Sequence, residues 1–186
     1  MVNYNLVKKC RICSSKNLEL ILDLGNQPPA NSLLDKNQLE NPEFKFPLRL
    51  FWCKDCFLVQ LLDIISKEDL FTHYFYMTSA SKPIVDHFRK YAMDIFNEFL
   101  NEQENPFVVE IGSNDGSLLK EFKKLGSSIL GIEPASNLAK LANESDVTTL
   151  NDFFSLNLAK NIIQSKNVSV VVANNVIGHV ENLHDL

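Results

Sequence analysis

The chain has 186 residues, enough for one moderate domain and a smaller companion. Its 45% hydrophobic and 22% charged content are ordinary for a globular protein, and a net charge of −5 withholds the basic footprint that nucleic-acid binding needs. No apolar run approaches the ~18–20 residues that span a bilayer and the amino terminus lacks a signal-peptide stretch, so a cytoplasmic protein with no membrane or nucleic-acid partner is expected.

All four cysteines fall in two Cys-x2-Cys pairs, Cys10 with Cys13 and Cys53 with Cys56. Two such knuckles can set four thiolates tetrahedrally about one zinc ion, with Zn–S near ~2.3 Å. Nearby lysines and Arg11 would offset the charge of that centre. Residues 14–52 separate the pairs, more than a usual zinc ribbon allows, so an insertion must sit between the knuckles. Two disulfides, disfavoured without a secretory signal, and a thiol redox pair, which needs only one such motif, are the competing readings. With four thiols and no open position, the metal would be structural rather than catalytic.

Between the knuckles, residues 22–32 are rich in turn formers and amides, and Pro28 and Pro29 favour an extended path. This loop, with Asn31 as a substrate-binding candidate, either lines a cleft or is a surface connection. Residues 46–52 then read as a strand and 57–62 as its hairpin partner, which closes a first domain over 1–66. A connecting region over 67–104 follows. Its residues 70–81 crowd aromatic and hydroxyl side chains together, Tyr76 and Ser79 among them, either as a loop packed on the next domain or as a flap over an active site. Apolar residues at three- and four-residue steps, from Ile84 to Phe99, predict a helix over 83–100.

The region 105–186 alternates strand and helix patterns. A buried strand over 107–111 enters a loop bounded by Gly112 and Gly116, a helix covers 117–125, and a second strand over 129–132 ends at Glu133. Glycines at these positions allow a sharp turn and close ligand approach. An acid at the tip of the second strand is placed to accept hydrogen bonds from ribose hydroxyls. Asn114 stands where a dinucleotide fingerprint needs its middle glycine, which disfavours a pyrophosphate. Glu110 suits a cationic amino group better. An adenosyl ligand with an amino-acid tail, S-adenosylmethionine, fits both features; the alternative is a strand–turn–helix with no ligand.

Further along, a helix over 137–143, a strand over 147–150 and a helix over 156–164 lead to the fully apolar strand 168–173. Asp152 either reaches the adenine amino group or caps a helix. Asn174, Asn175 and His179 follow the last strand, at the edge where ligands collect in such sheets. That strand would be an unprotected pairing template unless another segment or chain covers it, or the sequence is a fragment.

Taken together, the paired knuckles, the Leu-Gly-x-Gln-Pro-x-Ala-Asn run over 24–31, Cys-x2-Cys-x-Leu-Val-Gln over 53–60, Tyr-Phe-Tyr-Met-Thr-Ser-x-Ser over 74–81, Glu-Ile-Gly-Ser-Asn-Asp-Gly over 110–116, Gly-Ile-Glu-Pro over 131–134 and Ala-Asn-Asn-Val-x-x-His-Val over 173–180 resemble the zinc-containing, S-adenosylmethionine-dependent C-methyltransferases of nucleotide-linked 4-keto-deoxysugars. The resemblance implies an α/β chain: a small four-cysteine zinc-binding domain, then a partial Rossmann-like class I methyltransferase domain. It implies cofactor contacts at Glu133 and along the Glu110–Gly116 loop, Glu110, Gly112, Asn114, Asp115 and Gly116 among them; Pro134, Asp152 and Asn174 are further cofactor candidates by position. It implies that Tyr76, Asn175 and His179 face the sugar, with Tyr76 and His179 as catalytic candidates and no general-base role for Tyr76; Asn31 and Ser79 are further substrate candidates by position. The family's chains run to about twice this length, and its proposed base lies downstream of the 173–180 segment. A truncated member is therefore expected, completed by a C-terminal domain or a partner chain. A non-catalytic zinc and adenosyl binding module, or a methyltransferase with a non-sugar acceptor, are the other readings.

Overall fold

The computed structural model describes residues 4–186. The chain divides between Phe71 and Thr72, and the segment Val180–Asp185 returns to the first part. In that first part lie β1 (Tyr4–Leu6), β2 (Leu18–Gln27), β3 (Phe46–Cys53), β4 (Val59–Leu61), β5 (Asp63–Ile65) and the short helix α1 (Lys67–Phe71). Strands β2, β3 and β4 form an antiparallel sheet in that order, and β1 pairs antiparallel with β5. Asp63, buried, takes hydrogen bonds of 2.9 and 2.6 Å from Nε and Nη2 of Arg49, so its charge is paired. The Arg11 guanidinium donates to the carbonyls of Val180 and Glu181, which ties the returning segment to the first knuckle.

The predicted loop over 22–32 is corrected in its first half. Strand β2 continues to Gln27, and its register with β3 slips between Leu20 and Leu22 and again between Asp23 and Asn26. Turn formers here make irregularities inside a strand instead of ending it. The three-residue strands β1 and β5 are too short to show a period.

The second part opens with α2 (Lys82–Ile95), whose last turn widens into a π-turn over Phe96–Leu100, closed by the Asn101 N–H on the Phe96 carbonyl at 2.9 Å. Then come β6 (Phe107–Ile111), α3 (Ser117–Lys124), β7 (Ser128–Ile132), α4 (Ser136–Glu144), β8 (Thr149–Leu150), α5 (Leu156–Ser165) and β9 (Val170–Ala173). The four strands are parallel in the order β8-β7-β6-β9. The chain moves outward from β6 to β8 and then crosses back to β9, so the strand order reverses between β6 and β9. In doubly wound sheets ligands bind outside the carboxyl ends at that reversal. Strand β6 is buried on both faces: Val108 packs with Leu118, Leu119, Phe122 and Ala92, and Phe107 and Val109 pack with Ile132 and Ile162. The predicted last strand begins later than expected, at Val170, while Val168 packs on the Phe107 cluster. Among the described residues β9 pairs with β6 alone, and Val171 stays 55% exposed. No helix among the described residues is long and apolar enough to cross a membrane.

Candidate functional site

At the carboxyl end of β6 the backbone turns through Gly112 (φ 66°), where a Cβ would lie 2.6 Å from a Val176 methyl. The segment after β9 therefore crosses directly over this glycine, and the two loops meet at the strand-order reversal. One strand over, a Cβ on Gly131 would stand 2.4 Å from Ser113 Oγ and 2.7 Å from Thr149 Oγ1, so only glycine leaves room for Ser113 to fold onto the sheet. Gly116 (φ 76°) then starts α3.

Six consecutive amides of this loop are already engaged. The N–H groups of Gly112 and Ser113 donate to Ile132 C=O (2.8 and 3.2 Å), that of Asn114 to Glu133 Oε2 (2.8 Å), and that of Asp115 to Asn114 Oδ1 (3.0 Å). Gly116 donates to Ser113 C=O (2.9 Å) and Ser117 to Asp115 Oδ1 (3.2 Å). A phosphate-binding loop needs such amides free to point at the anion. This one keeps none. What remains is acceptor-rich: Glu110, 3% exposed, has Oε2 without a hydrogen-bond partner, and buried Ser113 Oγ also has none.

Burial pushes the Glu110 carboxyl well above its ordinary range, the charges of Glu133 and Asp115 push the same way, and the neighbouring Asn174 amide opposes them. Asn174 Nδ2 is itself buried, close enough to favour the charged Glu110 yet short of hydrogen-bond geometry to it. Burial also raises Glu133, against the N–H groups of Ala135 and Asn114 that its carboxylate accepts. Asp115 goes the other way: its burial is outweighed by hydrogen bonds from Ser117 and Ser79. The site thus holds two carboxyls reluctant to ionise and one that is ionised.

The structure sends two of the predicted cofactor residues elsewhere with their side chains. Asn114 (φ 52°) accepts from Thr78 N–H through Oδ1 and donates to Tyr76 C=O through Nδ2, both at 3.0 Å. Asp115 Oδ2 accepts from Ser79 N–H at 2.9 Å. On the neighbouring helix Asn137 brackets Tyr74, accepting its N–H at 3.2 Å and donating to its C=O at 2.8 Å. The segment 74–79 is thereby held by its backbone, and the Tyr76 side chain is left 44% exposed. Neither the Asn137 contacts nor those of Asn151, whose amide donates to Glu133 C=O and to Pro134 C=O (2.9 Å each), is foreseen by motif reading.

Asp152 is exposed and accepts from Phe153 N–H, while the cap of α5 is Ser155, which accepts from Leu158 N–H. Ser79, Asn175 (φ 55°) and His179 are exposed, and Asn31 (φ 61°) is exposed in the first part of the chain. A cavity of about 660 Å³ is lined by Phe107, Ser128, Leu130, Leu150, Ile162 and Lys166, and it includes none of the predicted site residues.

The four cysteines form a second centre. The knuckles repeat each other's backbone: Ser14 N–H donates to Cys10 C=O (3.0 Å) as Phe57 N–H does to Cys53 C=O (2.8 Å). Likewise Cys10 N–H reaches Ser15 C=O (2.8 Å) as Cys53 N–H reaches Leu58 C=O (2.9 Å), and Ser14 and Phe57 are both left-handed, at φ 60° and 65°. All four Sγ atoms lie within 4.8 Å of one another, with Cys10–Cys56 at 3.5 Å and Cys13–Cys53 at 3.6 Å. A tetrahedron of four sulfurs around zinc, with ~2.3 Å bonds, has edges of roughly 3.8 Å, so the thiols are gathered to fit zinc. They are free thiols, not disulfides. Without a metal the thiols titrate against one another: burial works to raise Cys10, but the N–H groups of Cys13 and Ile12, the Gln60 amide and Cys56 draw it down to about 6, while the neighbouring thiols push Cys13 and Cys56 up. Gln60, buried, also accepts from Arg11 N–H at 2.9 Å.

Residues 10–71 match a family model described as "Putative zinc binding domain" and residues 85–186 one described as "Methyltransferase domain". The chain is 30% identical over 181 residues to the C-methyltransferase NovU of Streptomyces niveus, covering 97% of this chain and 43% of NovU. It therefore spans less than half the length of that relative. Among solved structures it is similar to Streptomyces venezuelae DesVI (TM-score 0.38, 14% identity, 56% of this chain and 49% of that one). It is also similar to the plantazolicin methyltransferase BpumL in complex with SAH (TM-score 0.38, 18% identity, 53% and 37%).

Proposed function

The chain belongs to the methyltransferase-domain family, behind a zinc-binding domain, and on that footing we propose that its sheet-edge loops bind S-adenosylmethionine and that the whole protein C-methylates a nucleotide-linked 4-keto-deoxysugar. One observation carries the cofactor reading. Every amide from Gly112 to Ser117 is spent inside the protein, while a buried Glu110 oxygen is left unpaired. A ligand that brings donors and positive charge suits such a loop, and one that brings phosphates does not.

When bound, the cofactor supplies an electrophilic methyl group on a sulfonium, to be taken by a nucleophilic carbon of the acceptor. Glu110, with the Asn174 amide beside it, receives the ammonium of the amino-acid tail. Glu133 accepts from ribose hydroxyls with the lone pairs its two backbone donors leave free. Gly112 lets the ligand approach the β6–β9 reversal closely. A base of the longer protein would take the proton α to the sugar's keto group, and the enolate carbon would accept the methyl group, leaving S-adenosylhomocysteine as the product. Tyr76 and His179 face the sugar in this reading and orient its oxygens. Cys10, Cys13, Cys53 and Cys56 would hold a zinc ion with all four positions filled, a structural rather than a catalytic site.

Calorimetric titration of this chain with S-adenosylhomocysteine, and in parallel with NAD, tests the cofactor. Binding of the first and not the second is expected, and the reverse result sinks the reading. Transfer of labelled methyl to a nucleotide-linked 4-ketosugar by the longer protein tests the acceptor. Turnover confined to non-sugar acceptors would remove the sugar and leave the cofactor standing.

A further inference from the structure

The segment 72–79 touches both turns that the cofactor reading uses, and it does so through its backbone. Asn114 and Asp115, in the turn before α3, hold Tyr76 C=O, Thr78 N–H and Ser79 N–H. Asn137, in the first turn of α4, holds both backbone groups of Tyr74, and Ser136 N–H donates to Thr72 C=O at 3.0 Å. The contacts read the path of the segment through its backbone, while Phe75, set edge-on to His73, and Tyr76 and Met77 are exposed. Asn114 can do this because its left-handed backbone, which asparagine tolerates well, turns its amide away from the sheet. Its own N–H is meanwhile fixed by Glu133 Oε2. An unbroken path therefore runs from Glu133 through Asn114 to Tyr76.

Building on the proposed cofactor reading, we infer that Asn114, Asp115 and Asn137 are positioning residues that couple ligand occupancy of the two turns to the placement of segment 74–79, and with it the Tyr76 ring. A hydroxyl donated to Glu133 bears on the residue whose side chain clasps the segment. Occupancy then stiffens the clasp, and the clasp presents the exposed tyrosine in one place. A purely architectural role would instead hold the segment equally with and without ligand.

Residue-resolved amide hydrogen exchange on this chain, with and without S-adenosylhomocysteine, separates the two. The wild type is expected to gain tenfold or more protection at Thr78 and Ser79 on binding. Asn114→Gly, which keeps the left-handed backbone and removes the clasp, is expected to bind the ligand yet gain less than twofold at Thr78. Asp115→Asn, which keeps an acceptor for Ser79, retains the gain there, and Asp115→Ala loses it. If Asn114→Gly does not fold, Asn137→Ala carries the test through the Tyr74 amide, whose gain should vanish. Ligand binding by the wild type with no change at Thr78 and Ser79, or an undiminished gain in Asn114→Gly, overturns the clasp alone. A wild type that binds no S-adenosylhomocysteine overturns the cofactor reading and the clasp with it.

Discussion

The two parts of the chain are held together by different physics. Among the described residues the buried apolar side chains of the first part are Cys10, Phe46, Cys53, Leu62 and Ile65, and two of those five are proposed metal ligands. Much of β2 lies exposed, and the strands are pinned by the knuckles and by the Arg49–Asp63 pair. In the second part, β6 is enclosed on both faces by Val108, Leu118, Leu119 and Phe122 on one side and Val109, Ile132 and Ile162 on the other. A small unit that cannot bury enough surface leans on coordination bonds, whereas a larger one leans on packing.

Metal removal gives the sharpest contrast. Structural zinc in finger peptides contributes an apparent ~10–16 kcal/mol, so chelation, or Cys53→Ser, is expected to unfold the first part and spare the second. Amide exchange should rise to the unprotected rate at residues 50–52 of β3 and stay slow at 108–111 of β6. Continued protection of β3 in metal-free protein would break the comparison.

The reciprocal change is Phe122→Ala, which empties a fully buried site beside Leu118, Leu119 and Val147. A loss of about 3–5 kcal/mol is expected in the second part, read as a lower melting midpoint, with zinc content unchanged. Loss of zinc in that variant would show that the two parts do not stand on separate supports.

The smallest effect is electrostatic. Glu110 titrates above its ordinary range because burial, then Glu133, disfavours its charged form. Between the ordinary carboxylate range and that raised value the folded protein holds a proton that the unfolded chain lacks. Its contribution to stability is therefore full at the acid end and is lost as pH rises through the raised value. A cationic ligand end favours the carboxylate, so affinity for S-adenosylhomocysteine should climb with pH across the same window. Glu110→Gln should flatten both trends, in melting midpoints and in calorimetric titrations. A wild-type affinity independent of pH would remove Glu110 from the ammonium role.

Features set by covalent spacing were legible without coordinates. The paired cysteines converge as their spacing predicts, and the strand–turn–helix runs around Gly112 and Glu133 fold where the glycines and apolar runs place them. Direction was not legible. Whether Asn114 points at a ligand or at Thr78 depends on one backbone angle, and Asn137 and Asn151 belong to no motif at all. Strand β2 was hidden because Gly25, Asn26 and Gln27 carry a turn composition inside a bulged ladder, where tertiary pairing overrides local preference. The cap of α5 fell to Ser155, not Asp152, because the helix begins at Leu156.

The strand order also sets a timetable for folding. Register joins Val108 to Ile129 across one local crossover, but to Val170 only after β7, α4, β8 and α5 have been made. Short loops close before long ones, so β6, β7 and β8 can assemble while β9 is still unsynthesised or undocked. Glu110 and Glu133 are then in place early, and Asn174 and the segment over Gly112 come to them afterwards. On a translating ribosome, two carboxyls of the site would stand ready before the loop that closes over them docks, so a ligand that touched both sides would act as a latch on the long-range strand.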